Sequence, residues 1–307
     1  MKRYYIILLS LIVLSIISCS KSDDLVPSNT KENYFAPDDD ATDEESVLRK
    51  QFFTDEKCYL LFNDTLQHHY IGNNSEGEPQ YFTETVDVAY TMYSLTSYKY
   101  LYQYLTTMSD KKAAVDFLKK YIMPHLSSSL CPFSWLLVKH ITEYKFDGYT
   151  KYDYSSEPQF VIGERCMAVS MDGLSDMSED EIKTLANSML SGIVSNRISS
   201  QGSDILKPVT KSVDDYYEQY MGFWPSSDEA NMTELNKKGF ITPYWLIVNV
   251  WAFRGYYPTK ENDLADFTKL VFNSTEEEVK TKYADYPIVI QRYEAMRNVL
   301  LSLGYVF

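Results

Sequence analysis

The chain has 307 residues, 45% hydrophobic and 23% charged, a composition that suits a globular protein and not a collagen-like or low-complexity one. Its 29 Lys+Arg against 43 Asp+Glu give a formal charge of −14. A phosphate-backbone binder needs a basic face from which to release counterions, so nucleic acid is excluded as a partner. Only four His stand beside 27 Tyr, so imidazole, the commonest metal ligand, is scarce.

Lys2 and Arg3 precede an apolar run from Tyr4 to Ile17, about fourteen residues and too short for a membrane span of about twenty. It reads as a secretory signal peptide over residues 1–18. The run ends in Ile16-Ile17-Ser18-Cys19, which resembles a bacterial lipobox. That resemblance implies acylation of Cys19, a lipid anchor that does not leave the membrane readily, and location at the outer membrane. The acidic pair Asp23-Asp24 resembles a short surface-export signal. Removing Lys2 and Arg3 with the signal leaves 27 basic and 43 acidic residues, a mature charge of −16. Residues 19–45 are then the acylated Cys and a polar, acidic tether that cannot bury enough apolar surface to order itself.

The remainder, 46–307, reads as one α+β domain in which strands and helices mix without regular βαβ alternation. Cys58 to Phe62 is a short strand, and residues 85–105 are ambiguous between strand and helix. A helix is predicted from Ser109-Asp110-Lys111 through Tyr121, with strands over Ser134 to Ile141 and Gln159 to Ser170. Ser178-Glu179-Asp180-Glu181 is a capping box, after which Ile182, Leu185, Ala186, Met189, Leu190, Ile193 and Val194 recur at helical spacing. Ser212 to Asp215 predicts another helix start, Thr275 to Glu278 a second capping box, and Pro287 the first turn of a terminal helix reaching Leu303. Cys58, Cys131 and Cys166 allow at most one disulfide and no C-x-x-C spacing, so they read first as buried small hydrophobes.

The strand Glu164 to Ser170, the capped helix after Ser178, Lys238-Gly239-Phe240-Ile241-Thr242-Pro243-Tyr244 and the segment Asn262 to Phe267 together resemble a known family. These are the substrate-import-associated zinc metallohydrolase lipoproteins, zincin-type peptidases encoded beside outer-membrane transporter pairs. The resemblance implies a zincin-like metallopeptidase fold, with a long capped helix packed on a mixed sheet. In that family the helix carries H-E-x-x-H, two imidazoles at i and i+4 gripping one zinc while the Glu activates its water. Here the position reads Ser188-Met189-Leu190-Ser191-Gly192, and the last His in the chain is His140. The family's zinc scheme is therefore missing, and no cofactor is expected.

Asp263 and Asp266 fall near the family's later carboxylate ligand, but they read as a solvated first helical turn favoured by the helix dipole. His68 and His69 are adjacent and diverge, so a site with Asp64 is a weak candidate. No G-x-S-x-G elbow occurs. Aromatics crowd Tyr216 to Tyr257, as core filling or as ligand-gripping side chains, and Trp224, Tyr244 and Trp245 are the candidate binding residues. The leading expectation is a lipid-anchored protein without catalysis, binding peptide or glycan beside a TonB-dependent transporter and its surface lipoprotein. The strand from Gln159 to Ser170 would add an extended peptide to the sheet edge. A structural accessory subunit of such an import complex, or a hydrolase using other carboxylates, are the rival expectations.

Overall fold

A computed structural model describes residues 33–90, 97–221, 229–249 and 252–307, and its main compact unit runs from Phe35 to Phe307. Asp43 caps helix α1 (Glu44–Glu56) by accepting from the Ser46 N–H at 2.9 Å, and Lys57 closes the helix in the left-handed conformation. The segment just before α1, which composition assigns to the tether, is packed at its start. Phe35 is buried against the rings of Tyr59 and Phe133, and its carbonyl accepts from Arg49 at 3.0 Å.

The main sheet is built around β5 (Ser134–Phe146). β1 (Tyr59–Leu61) runs parallel to its first half on one side and β8 (Met167–Ser170) parallel on the other. β7 (Phe160–Ile162) pairs antiparallel with β8 and ends the sheet. β4 (Tyr98–Tyr104) and β6 (Tyr152–Ser156) pair antiparallel with the second half of β5. The predicted single strand over 159–170 is thus a hairpin, turned at Gly163 to Cys166, whose N–H and carbonyl bond at 2.9 Å. Of the ambiguous stretch 85–105, Thr85 ends one strand and Tyr98–Tyr104 is β4, while residues 91–96 lie outside the described residues.

Strand parity explains why the central strands read as continuous apolar runs: both faces of the sheet are covered. Leu60, Trp135, Leu137, Met167 and Val169 face the helices in the principal core. Leu61, Leu136, Val138 and Ala168 face the other way, under Phe35, Val86 and Val88. A separate two-stranded ribbon, β2 (Thr65–Asn73) with β3 (Pro79–Thr85), exposes Tyr70, Ile71, Tyr81 and Phe82.

Thr107, not Ser109, caps α2 (Met108–Phe117). Pro124 lacks an N–H and crowds the preceding turn, and the helix widens into a π-turn over Leu118–Ile122 before it ends. The capping box at Ser178 is formed as expected, and α3 (Glu179–Ser199) buries Leu185, Ala186, Met189, Leu190, Ile193, Val194 and Ile198. The helix expected from Ser212 is instead a single 3₁₀ turn, Asp214–Tyr216. Val213 is buried, and Tyr216 and Tyr217 turn inward onto Phe240, which takes the chain out of helical geometry. The helix lies just upstream as α4 (Ser203–Thr210).

After α5 (Glu229–Lys237), β9 (Tyr244–Asn249) and β10 (Ala252–Tyr256) form a hairpin outside the main sheet. The helices α6 (Lys260–Asn273), α7 (Glu276–Lys282, with its capping box) and α8 (Pro287–Leu303) follow. Beyond α8 the chain latches onto the end of the π-turn region. The Val306 N–H donates to His125 O at 3.0 Å, His125 Nδ1 donates to Val306 O at 2.8 Å, and the Ser127 N–H donates to Gly304 O at 2.9 Å. The architecture is α+β, a mixed sheet with helices packed on one face.

Candidate functional site

The motif position on α3 lies against the edge strand. Ser188 is exposed, while Met189 is fully buried in the principal core. Gly192 is closed over by β7: a Cβ there would meet Phe160 Cε2 at 3.0 Å and Ile162 Cδ1 at 3.1 Å. The face on which i, i+4 ligands would project is therefore packed with side chains at its second position. Its glycine lets the strand approach the helix closely.

Asp263 and Asp266, expected as a solvated first turn, are differently placed. Thr259 caps α6 as the pattern predicts, but Asp263 is 1% exposed. Its Oδ2 accepts from Arg292 Nη2 and from the Tyr217 hydroxyl, the latter at 2.6 Å. Arg292 is equally buried. Its Nε donates to Val209 O at 2.7 Å and its Nη1 to Gly239 O at 2.6 Å, and the guanidinium lies over the rings of Phe267 and Phe240 at 4.2 and 5.5 Å. Burial pushes the Asp263 carboxyl up from its ordinary value, and the adjacent Arg292 opposes that rise. Asp266 accepts from the Tyr244 hydroxyl at 2.8 Å, and burial beside that carboxylate holds the Tyr244 phenol above its usual range. Each aspartate is thus committed to a tyrosine, and Asp263 to an arginine as well. This arrangement stabilises the packing of α6 on α8 rather than offering ligands to a metal. Among the described residues, no three of His, Cys, Asp and Glu converge as a metal site.

One opening in this part of the molecule is a cleft of about 640 Å³. One wall is the end of β7 and its turn (Val161 to Glu164), another the second half of α3 (Ile193, Asn196, Arg197, Ser200), and a third the loop Ser129 to Phe133 that leads into β5. Tyr90, Tyr98 and Phe133 stand exposed around it. In the register of β7 with β8, Gly163 and Cys166 form a hydrogen-bonded pair, as do Gln159 and Ser170 on the carbonyl of Gln159. Hydrogen-bonded pairs alternate along an antiparallel ladder, so Val161 bonds inward and the backbone groups of Phe160 and Ile162 face the outer edge. A second cleft, about 600 Å³, lies between α2 and the loop after β8, and is lined by Asp110, Asp116, Asp172 and Asp176 with Lys120 and Lys139.

Of the predicted binding residues, Tyr244 is half-buried and bonded as above. Trp224 and Cys19 lie outside the described residues, and Trp245 is described only as backbone in β9. Tyr216, Tyr217 and Tyr257 pack around Phe240 in a third apolar cluster, whereas Tyr220 is exposed. His68 and His69 do diverge: His68 bonds Thr83 at 2.7 Å and stacks on Tyr81, and His69 packs near Phe82. His140, in β5, sits between Asp172 at 3.3 Å and Glu157 at 3.7 Å.

Sequence reading misses Arg292 and the loop Ser129 to Phe133 that forms the third wall of the cleft. A signal for Arg292 exists in the register of α8, where it lies on the buried stripe with Val289, Tyr293, Met296 and Val299. An arginine on such a stripe demands an internal anion. Compared with known proteins, the chain matches no family model, no curated protein and no solved structure.

Proposed function

We propose that this chain is a lipid-anchored outer-membrane protein on a zincin-like scaffold that binds an extended peptide and does not hydrolyse it. The observation that carries the reading is the edge strand β7 lying over the motif position of α3, with Phe160 and Ile162 filling the space above Gly192. An antiparallel edge strand followed by an interior strand and then a long capped helix is consistent with the zincin resemblance. In that arrangement an extended peptide adds to the free edge, taking main-chain bonds from Phe160 and Ile162. Tyr90, Tyr98 and Phe133 supply aromatic surface for side chains along the adjoining cleft. With Asp263 held by Arg292, and Met189 and Gly192 where the family has its glutamate and second histidine, the residues present do not fit a catalytic zinc. The lipid on Cys19 would hold the domain at the membrane, where a TonB-dependent transporter and its surface lipoprotein are the proposed partners.

The test is calorimetric titration of the purified chain with unstructured peptides, the same peptides N-methylated at alternate residues, and oligosaccharides, alongside elemental analysis for zinc. Binding of the plain peptides, lost on N-methylation, supports edge addition. Saturable binding of glycans alone, or stoichiometric zinc with peptide cleavage, overturns it. Labelled fatty acid incorporated by the native chain and lost in Cys19→Ser checks the anchor.

A further inference from the structure

Two of the three cysteines in the compact unit stand together. Cys58 follows the left-handed cap of α1 and directly precedes β1. Cys131 follows the turn Ser127 to Leu130, three residues before β5. The parallel register of Tyr59 with Ser134, and the Tyr59 N–H donating to Phe133 O at 3.0 Å, clamp these two chain segments side by side. The two thiols are near enough to shift one another's ionisation, Cys58 is buried in the principal core against which Cys131 also packs, and the buried indole Nε1 of Trp135 in that core has no hydrogen-bond partner among the described residues. Cys166 is separate, buried on the opposite face of the sheet beside Ser134.

We infer that Cys58 and Cys131 are an oxidisable pair that closes a disulfide in the mature protein, with Cys131 as the attacking thiol. Cys131 is half-buried and lines the cleft, so a disulfide donor reaches it, whereas Cys58 is 3% exposed. The nearness of Cys58 lowers the Cys131 pKa, while the nearness of Cys131 together with burial raises that of Cys58. The difference in access between the two sulfurs is the ordinary division between attacking and resolving thiols.

The donor is a disulfide of the dithiol-oxidase or oxidised-glutathione class. The Cys131 thiolate attacks one donor sulfur, the donor S–S bond breaks, and one half departs as a thiolate that takes up a proton. The other half remains as a mixed disulfide on Cys131. Cys58 then loses its proton, attacks Cys131 Sγ and expels the second donor thiol. Two protein thiols have given up two electrons and two protons, and the donor has become two thiols.

The oxidising setting rests on the envelope location proposed above, but the pairing geometry does not. Disulfides persist outside the cytoplasm, and this one would join the end of α1 to the wall of the cleft.

The experiment uses the full chain carrying Cys19→Ser, equilibrated with oxidised glutathione, denatured, alkylated and mapped by mass spectrometry. The expected result is alkylation at Cys166 alone, a Cys58–Cys131 linked peptide, and a melting temperature that falls by at least about 5 °C on reduction. In Cys58→Ser, a glutathione adduct should collect on Cys131. Three alkylated cysteines, a link that includes Cys166, or a stable Cys131 adduct with Cys58 free would overturn the pairing. If the pair links in vitro but native chain from the cell envelope carries both thiols free, the oxidising location fails and the pairing stands.

Discussion

Among the described residues, replacing Arg292 by Met removes the one cation that reaches Asp263 and leaves the carboxylate buried with only the Tyr217 hydroxyl. An uncompensated buried charge costs about 3–5 kcal/mol. The carbonyls of Val209 and Gly239 also lose their donors, each worth about 1–3 kcal/mol when left unmet. Methionine keeps packing between Phe240 and Phe267, which offsets part of this. The expected loss is about 4 kcal/mol or more, large against a typical domain stability of about 5–15 kcal/mol. In urea unfolding followed by circular dichroism, that is a midpoint lowered by roughly 1–2 M. Adding Asp263→Asn removes the stranded charge and should recover about 1–2 kcal/mol, so the double-mutant cycle is strongly non-additive.

The pH dependence follows from the direction in which burial moves Asp263. Without Arg292 its folded pKa rises further above the ordinary carboxylate value. Below about pH 4 both the folded and unfolded states hold the proton and no ionisation penalty exists. The penalty grows as pH rises from there to the folded pKa, then stays constant. The Met variant and the Met/Asn double variant should therefore converge near pH 4 and separate towards pH 8. A Met variant within about 1 kcal/mol of the parent, or additive single effects, would refute the reasoning that one buried ion pair organises this region.

Ser178→Ala removes the oxygen that accepts from the Glu181 N–H and should cost about 1 kcal/mol by thermal or urea unfolding. The Glu181 carboxyl is held below its usual value by the Ser178 hydroxyl and N–H, so its contribution is present above about pH 4.3 and fades as pH falls through the lowered value. That component should weaken in Ser178→Ala. Gly192→Leu gains about 1 kcal/mol of helix propensity but forces Phe160 and Ile162 away, an overpacking cost of about 1–3 kcal/mol. The net expectation is destabilisation with β7 loosened, read as faster amide exchange at residues 160–162. Unchanged exchange would contradict the close packing of strand on helix.

The elements that were legible in the sequence are those governed by local rules. Both capping boxes, the apolar stripe of α3 and the terminal helix from Pro287 to Leu303 need only neighbours in the chain, and they occur where the spacing places them. Misreadings arise where distant partners decide. Gln159 to Ser170 reads as one strand because both arms of the hairpin are apolar, and what bars a side chain at Gly163 is remote in sequence: a Cβ there would run into the Val88 carbonyl. Asp263 reads as solvated because the first turn of a helix favours acids, yet Arg292, on another helix, draws it inside. Composition underestimates Phe35 for the same reason, since its partners Tyr59 and Phe133 are remote in sequence. The site suffers most: a cleft assembled from β7, α3 and the loop before β5 has no contiguous motif to find.

The latch between Val306 and His125 ties the residues after α8 to the first half of the compact unit. The helix before it, α8, contributes Val289, Tyr293, Met296 and Leu300 to the same core that Leu118, Ile122 and Trp135 enter from the first half. Contacts so far apart in the chain form late and slowly, so the amino-terminal half emerges from the ribosome with its apolar surface still seeking its lid. A core that closes only when α8 docks leaves apolar surface and unpaired strand edges uncovered until then, the condition in which a chain of this size aggregates or is cleaved.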